Sequence, residues 1–78
     1  MAQISKKLGE NIKRIRLRRK MSQGDICRAI GMDRSYMSAI EGGKVNVTLV
    51  VLEKLAKALD VSVDELWKAF PEIGRAHV

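Results

Sequence analysis

The sequence has few of the residues that usually reinforce a small protein. It holds one cysteine and one histidine among 78 residues, which excludes an internal disulfide and a Cys/His metal cluster. We therefore expect no cofactor. The chain also lacks an apolar run of about 18 residues and an apolar signal-peptide core, so we expect a cytoplasmic protein without a membrane span. A single domain of this size buries only a small hydrophobic core, so its stability depends on tight helix packing or on oligomerisation.

The positive charge lies at one end of the chain. The formal net charge is +6, and residues 1–20 alone carry eight lysines and arginines against one acid. The remaining residues are close to neutral, so the excess belongs to the first segment. Such asymmetry favours a polyanionic partner on one side of the molecule. A charge run by itself is about as often a solvated helix face, so the other segments must decide between the two.

Apolar spacing and capping residues predict three helices in the first half of the chain. A stripe at intervals of four, four and three residues predicts a basic amphipathic helix over residues 4–20; its members are Ile4, Leu8, Ile12 and Ile15. Ser22 and Asp25 resemble a capping box, and they open a second helix that runs to Ile30 and stops at Gly31. Its predicted inner face includes Ala29.

A third predicted helix runs from Arg34 to Glu41, with Asp33 as its N-cap and the glycines at 42 and 43 at its end. A fourth follows from about Thr48 to residue 59. It has a wide apolar face, which indicates a central position in the core; the face comprises Leu49, Val50, Leu52, Leu55, Ala56 and Leu59.

The fifth predicted helix is short and starts at a capping box formed by Ser62 and Glu65. Pro71 ends it. We therefore predict an all-α, five-helix domain over residues 1–71, followed by a flexible tail at 72–78.

Residues 22–43 are the stretch with the clearest functional pattern. Two short helices joined by a turn of about four residues that contains glycine fit the helix-turn-helix motif. Its second helix must project far enough for its first turns to enter a groove about 12 Å wide. The outer face of that helix offers Arg34, Ser35 and Ser38, whose polar groups can bind base edges.

Most of the chain, residues 8 to 67, also resembles the phage repressor/Cro-like (XRE-type) helix-turn-helix family, which includes the lambda-repressor-like DNA-binding domains. The matching segments are Leu8–Gly9 through Ile12 with Arg16, Ser22–Gln23, Ala29–Ile30–Gly31, Ser38 to Gly42, Leu52 through Leu59, and Val61 to Leu66. Residues 33–38 further resemble the small controller proteins of restriction–modification systems. The chain departs from the family at Gly24, Cys27 and Val47, and none of these changes removes a DNA-facing group.

The resemblance implies a role for individual positions in binding double-stranded DNA. The implied base contacts are Arg34, Ser35, Tyr36 and Ser38. The implied phosphate contacts are Gln23, Lys44, Asn46 and Thr48. Arg16 and Glu41 would form the family's interior ion pair between the first and third helices. No catalytic residue and no small-molecule ligand is expected.

A homodimer is expected for two reasons. One recognition helix reads only a few base pairs, and two-fold pairing places two such helices about 34 Å apart on a near-palindromic site. The fifth helix also carries more apolar bulk than a short terminal helix needs. The predicted interface residues are Leu66, Trp67 and Phe70, although Leu66 and Trp67 also suit a cap on the monomer's own core.

Other functions stay open from the sequence alone. An antitoxin-like or other protein-interaction module would use the same fold and would bind DNA weakly. The basic first helix would also suit structured RNA, and a membrane-surface role is a more distant alternative. Within the DNA interpretation, a repressor and an activator cannot be separated. RNA polymerase would be a further partner of an activator, but the sequence identifies no surface for it.

Overall fold

The computed structural model describes the backbone of residues 2–67 and the side chains of residues 5–66. Within this range the chain forms five α-helices and no strand, as the sequence predicted. They are α1 (Ala2–Arg18), α2 (Gln23–Ile30), α3 (Arg34–Glu41), α4 (Leu49–Leu59) and α5 (Val63–Trp67). None of these helices is long and apolar enough to cross a bilayer. The predicted domain end at Pro71 and the tail at 72–78 lie outside the described residues.

The helix boundaries follow the capping chemistry of the sequence. The side chains of Ser22, Asp33 and Thr48 each accept a hydrogen bond from a backbone N–H in the first turn of the following helix. Gly31 ends α2 in the left-handed region at φ 68°, where a residue with a Cβ is disfavoured. Asp60 ends α4 in the same region at φ 59°. These local signals confirm the predicted caps of α2 and α3 and the break after α4.

One core joins all five helices. Helix α1 packs on α3 and α5, and α4 packs on α2 and α5. The side chains that are almost fully enclosed are Ile12, Ile26, Met37, Ile40, Leu55, Leu59 and Leu66. Because α3 contacts both α1 and α2, its inner face is fixed from two sides while its outer face remains exposed.

Two predicted apolar faces are narrower than expected. Ala29, which was predicted to face inward, is exposed, whereas Ile26 and Cys27 of the same helix are buried. Leu49 and Val50 are 63% and 61% exposed at the start of α4. The apolar face of α4 therefore packs on the core from the half-buried Val51 onward.

Gly9 sets the distance between α1 and α3. A Cβ at position 9 would lie 2.2 Å from the carbonyl oxygen of Ile40 and 2.8 Å from that of Glu41. Neither carbonyl can move without moving the end of α3. We therefore expect Gly9→Ala to lower the free energy of unfolding by about 1–3 kcal/mol, measured by urea denaturation.

Gly24 offers a matched control in another helix. A Cβ there would approach the flexible end of Arg28 to 3.3 Å and would lie 3.6 Å from Ser22 Oγ, which is an ordinary van der Waals contact. Gly24→Ala should be neutral or stabilise by about 0.5–1 kcal/mol, since alanine is the better helix former. Equal effects of the two substitutions would show that helix propensity, rather than the approach of α1 to α3, decides the outcome at position 9.

Candidate nucleic-acid interface

Local hydrogen bonds cap the start of α2 and the start of α3. Ser22 and Asp25 form a reciprocal capping box, in which Ser22 Oγ accepts from the Asp25 N–H at 3.0 Å and Asp25 Oδ2 accepts from the Ser22 N–H at 2.8 Å. The bond from the Ser22 backbone N–H lowers the pKa of the Asp25 carboxyl and stabilises its charged form at the positive end of α2. After Gly31, Asp33 accepts from the Ser35 N–H and begins α3.

The outer face of α3 presents polar side chains to solvent. Arg34, Ser35 and Ser38 are exposed, whereas Met37 and Ile40 on the opposite face are buried. Arg34 makes no hydrogen bond or ion pair with another described residue, so its guanidinium can meet a partner. This arrangement leaves the first turn and a half of α3 available to a groove.

Tyr36 differs from its neighbours on α3. It is half-buried and packs against the hydrophobic core. Its ring is therefore held by the protein, and a base contact from this residue stays a prediction.

A buried ion pair anchors α3 to α1. Arg16 Nε donates to Glu41 Oε2 at 2.7 Å, and Arg16 Nη2 donates to Glu41 Oε1 at 3.1 Å. The two side chains are only 8% and 4% exposed. Arg16 Nη1 also donates to the carbonyl of Met21, at 2.8 Å. The structure thus brings together the two residues that the resemblance pairs, and the hydrogen bond with Glu41 raises the pKa of Arg16.

Gln23 connects this ion pair to the outer face of α3. Its Nε2 donates to Glu41 Oε1 at 3.0 Å, and its Oε1 accepts from the hydroxyl of Ser38 at 3.1 Å. The resemblance implied only a phosphate contact for Gln23, and nothing in the sequence indicated these two bonds. The second N–H of the amide has no acceptor among the described residues, so a phosphate contact remains open to Gln23.

The loop between α3 and α4 carries three predicted phosphate contacts, and all three are exposed. Asn46 Oδ1 accepts from Ser5 Oγ at 2.7 Å. This bond orients the Asn46 amide so that its NH₂ group points away from Ser5. Thr48 Oγ1 accepts from the Val51 N–H at 3.3 Å, so its own hydroxyl proton stays available. Donors are what a phosphate requires, and Lys44 adds a charged one.

Ser5 and Asn11 make contacts that no pattern in the sequence indicated. Asn11 is 2% exposed, its Nδ2 donates to the carbonyl of Leu66, and its Oδ1 accepts from Arg14 Nη2 at 2.8 Å. The only available signal was an asparagine beside the apolar stripe of α1. Ser5 lies 41 positions from its partner, so no local pattern identifies that bond.

Leu66 requires a correction as a dimer contact. It is fully enclosed in the core, because α5 turns this side chain toward α1 and α4. It therefore caps the monomer and presents no surface to a partner. The side chains of Trp67 and Phe70, the other predicted interface residues, lie outside the described residues.

Comparison with known proteins agrees with this geometry. The family model described as helix-turn-helix matches residues 12–66, a range that includes the ion pair and the exposed face of α3. The chain belongs to the helix-turn-helix family.

Members similar to this chain include control proteins. It is 38% identical over 68 residues to control protein C.MunI of Mycoplasma sp, which covers 86% of this chain and 92% of the relative. Among solved structures, the restriction–modification controller protein C.AhdI from Aeromonas hydrophila has a TM-score of 0.80 at 37% identity, covering 83% of this chain and 98% of that one.

A third similar protein has been solved on DNA. The controller protein C.Esp1396I, as a tetramer in complex with its natural 35-base-pair operator, has a TM-score of 0.74 at 36% identity. The match covers 82% of this chain and 84% of that one.

Proposed function

We propose that this chain is a sequence-specific regulator of transcription that binds double-stranded DNA as a homodimer on a near-palindromic operator. The observation that carries the proposal is the exposed outer face of α3, which presents Arg34, Ser35 and Ser38. The buried Arg16–Glu41 ion pair anchors the same helix to α1. A rigidly held helix with a polar outer face is what major-groove recognition needs.

The residues that attract DNA differ from the residues that recognise its base sequence. Residues 21–44 carry equal numbers of basic and acidic groups, whereas residues 1–20 hold the excess of positive charge. That excess raises the local concentration of a polyanion without reading its sequence. The choice of sequence therefore falls to α3, with Arg34 suited to the O6 and N7 atoms of a guanine.

The relatives favour a particular biological role for such a regulator. C.MunI, C.AhdI and C.Esp1396I are all control proteins. The match covers more than nine-tenths of the length of the first two and more than four-fifths of the third. We therefore propose that this chain controls a restriction–modification system. Repression and activation would use the same DNA contacts, and RNA polymerase would be a partner in activation.

The exposed apolar residues of α4 support the proposed homodimer. Val50, Val61 and Val63 line one shallow surface where α4 meets α5, together with Ala56 and the charged residues Glu53, Lys54 and Lys57. Leu49 is exposed at the first position of α4. A second copy would cover this surface and place two α3 helices about 34 Å apart. Among the residues that the structure describes, this surface replaces Leu66 as the candidate dimer contact.

The test is selection of bound duplexes from a random pool by the whole chain at moderate salt. We expect a bipartite site with two related halves. The mass of the complex on the selected duplex, measured by analytical ultracentrifugation, should equal two chains per site or a multiple of two.

Three results would contradict parts of this proposal. If no sequence is enriched, the proposal of sequence-specific DNA binding fails. One chain on a site without symmetry would contradict the homodimer and would favour another protein as the partner of the α4 surface. Equal affinity for structured RNA and for the selected duplex would favour an RNA-binding function.

A further inference from the structure

Ser38 is the member of the α3 face whose hydrogen-bonding polarity the structure determines. A serine hydroxyl carries one proton and two lone pairs, and it normally rotates to suit either a donor or an acceptor. Here the hydroxyl lies 3.1 Å from Gln23 Oε1, so its single proton is committed if that atom is the amide oxygen. The orientation of the Gln23 amide therefore decides what Ser38 can offer to a base.

The buried ion pair settles that orientation. Glu41 faces Arg16 at 2.7 Å, and an arginine is always protonated. Both Glu41 oxygens accept N–H bonds from Arg16, at 2.7 and 3.1 Å, so Glu41 acts here as an acceptor. Its Oε1 lies 3.0 Å from one end of the Gln23 amide, and that end must be the NH₂ group. The oxygen of the amide then necessarily faces Ser38.

The consequence reaches the protein surface. With its proton donated to Gln23, the Ser38 oxygen has only lone pairs left for a partner. Rotating the hydroxyl toward a base acceptor would leave the half-buried Gln23 oxygen without its donor, which is unfavourable. Ser38 lies one helical turn after Arg34 on the same exposed face of α3, so a groove that receives Arg34 would also receive Ser38.

We infer that Ser38 is a specificity-determining residue that accepts a hydrogen bond from an exocyclic amino group in the major groove. The groups of this kind are adenine N6 and cytosine N4. Base acceptors such as guanine O6 or thymine O4 are not its partners. The inference rests on the proposed function, because it assumes that α3 lies in the groove of a selected DNA site.

Base analogues that lack single groups test the inference on the whole chain. Comparison of the sites selected by the wild type and by Ser38→Ala identifies the base pair that Ser38 reads. At that pair, adenine is replaced by purine, which lacks the 6-amino group, or cytosine by 2-pyrimidinone, which lacks the 4-amino group. We expect the wild type to lose about fivefold in affinity per half-site and Ser38→Ala to lose nothing further.

Gln23→Met provides the second test, because methionine has a similar length but no amide oxygen to accept the hydrogen bond from Ser38. The freed hydroxyl can then donate or accept. We expect the preference to relax at the Ser38 base pair alone, beside an even loss of affinity at all sequences from the missing phosphate contact. A merely structural role of Gln23 would produce only the even loss.

Several results would overturn the inference. One is a selected site that Ser38→Ala leaves unchanged at every position. Another is a wild type that tolerates removal of the amino group but not replacement of the purine by its 7-deaza analogue, which lacks the N7 acceptor. Both are distinct from failure of the proposed function, in which the wild type selects no site at all.

Discussion

Glu41→Ala should lower the free energy of unfolding by about 3–5 kcal/mol, because it leaves the charge of Arg16 buried without its partner. Arg16 is 7% exposed, and its remaining hydrogen bond to the Met21 carbonyl does not neutralise it. Gln23 loses its acceptor in the same substitution. A domain of this size has a total stability of about 5–15 kcal/mol, so the loss should be plain in urea denaturation without DNA.

The control for this prediction is an ion pair of equal length at the surface. Arg28 and Asp25 also approach to 2.7 Å, but their side chains are 75% and 42% exposed. Arg28→Ala should therefore cost less than about 1 kcal/mol. A similar, small effect of Glu41→Ala would place the Arg16–Glu41 pair in solvent and contradict the structure.

A double substitution separates burial of an unpaired charge from loss of packing. Replacing both partners, as in Arg16→Met with Glu41→Leu, removes both charges and keeps apolar volume. We expect the double variant to be more stable than Glu41→Ala, since no charge is left buried alone. A double variant as unstable as the sum of two single losses would show that the two residues act independently.

The elements of the fold were predictable because their signals are local. Ser22, Asp33 and Gly31 act through hydrogen bonds or backbone angles within four residues of themselves, so sequence order is enough to locate the ends of α2 and α3. The predicted end of α1 at residue 20 was two residues late. Arg18 is the last helical residue, and Lys20 adopts the left-handed region at φ 58°. No capping residue in the sequence indicates this turn.

The contacts between helices were predictable only where a resemblance supplied them. The Arg16–Glu41 pair came from the family and not from the spacing of charges. Ser5 with Asn46 spans 41 positions, and Gln23 with Ser38 spans 15. Such pairs depend on how helices cross, and side-chain periodicity along one helix carries no information about that crossing.

The prediction for Leu66 failed for a related reason. A short terminal helix with several large apolar residues can direct them to its own core or to a second copy, and composition does not distinguish the two. The structure directs Leu66 inward, while Asn11 binds its carbonyl. Conversely, Leu49 and Val50 belong to an apolar run that resembles a core segment, yet both are exposed at the start of α4.

Arg34→Ala should have the largest effect on DNA binding. Arg34 is exposed at the first position of α3, and a bidentate contact with guanine contributes about 1–3 kcal/mol. A homodimer makes that contact twice, so a symmetrical site should lose about 2–6 kcal/mol, provided that the two half-sites are additive. Competition binding at fixed salt measures the loss, and selection with the variant should show relaxed preference at one base pair in each half.

Lys44→Ala is the matched control, because it also removes one exposed positive charge from the proposed interface. Its predicted partner is a phosphate, which is the same at every base pair. We expect weaker binding to all sequences alike and a salt dependence reduced by about one unit of slope per half-site. If Arg34→Ala behaved in this same way, with every sequence preference retained, Arg34 would bind the backbone. The choice of sequence would then have to come from Ser35, Ser38 or the shape of the DNA.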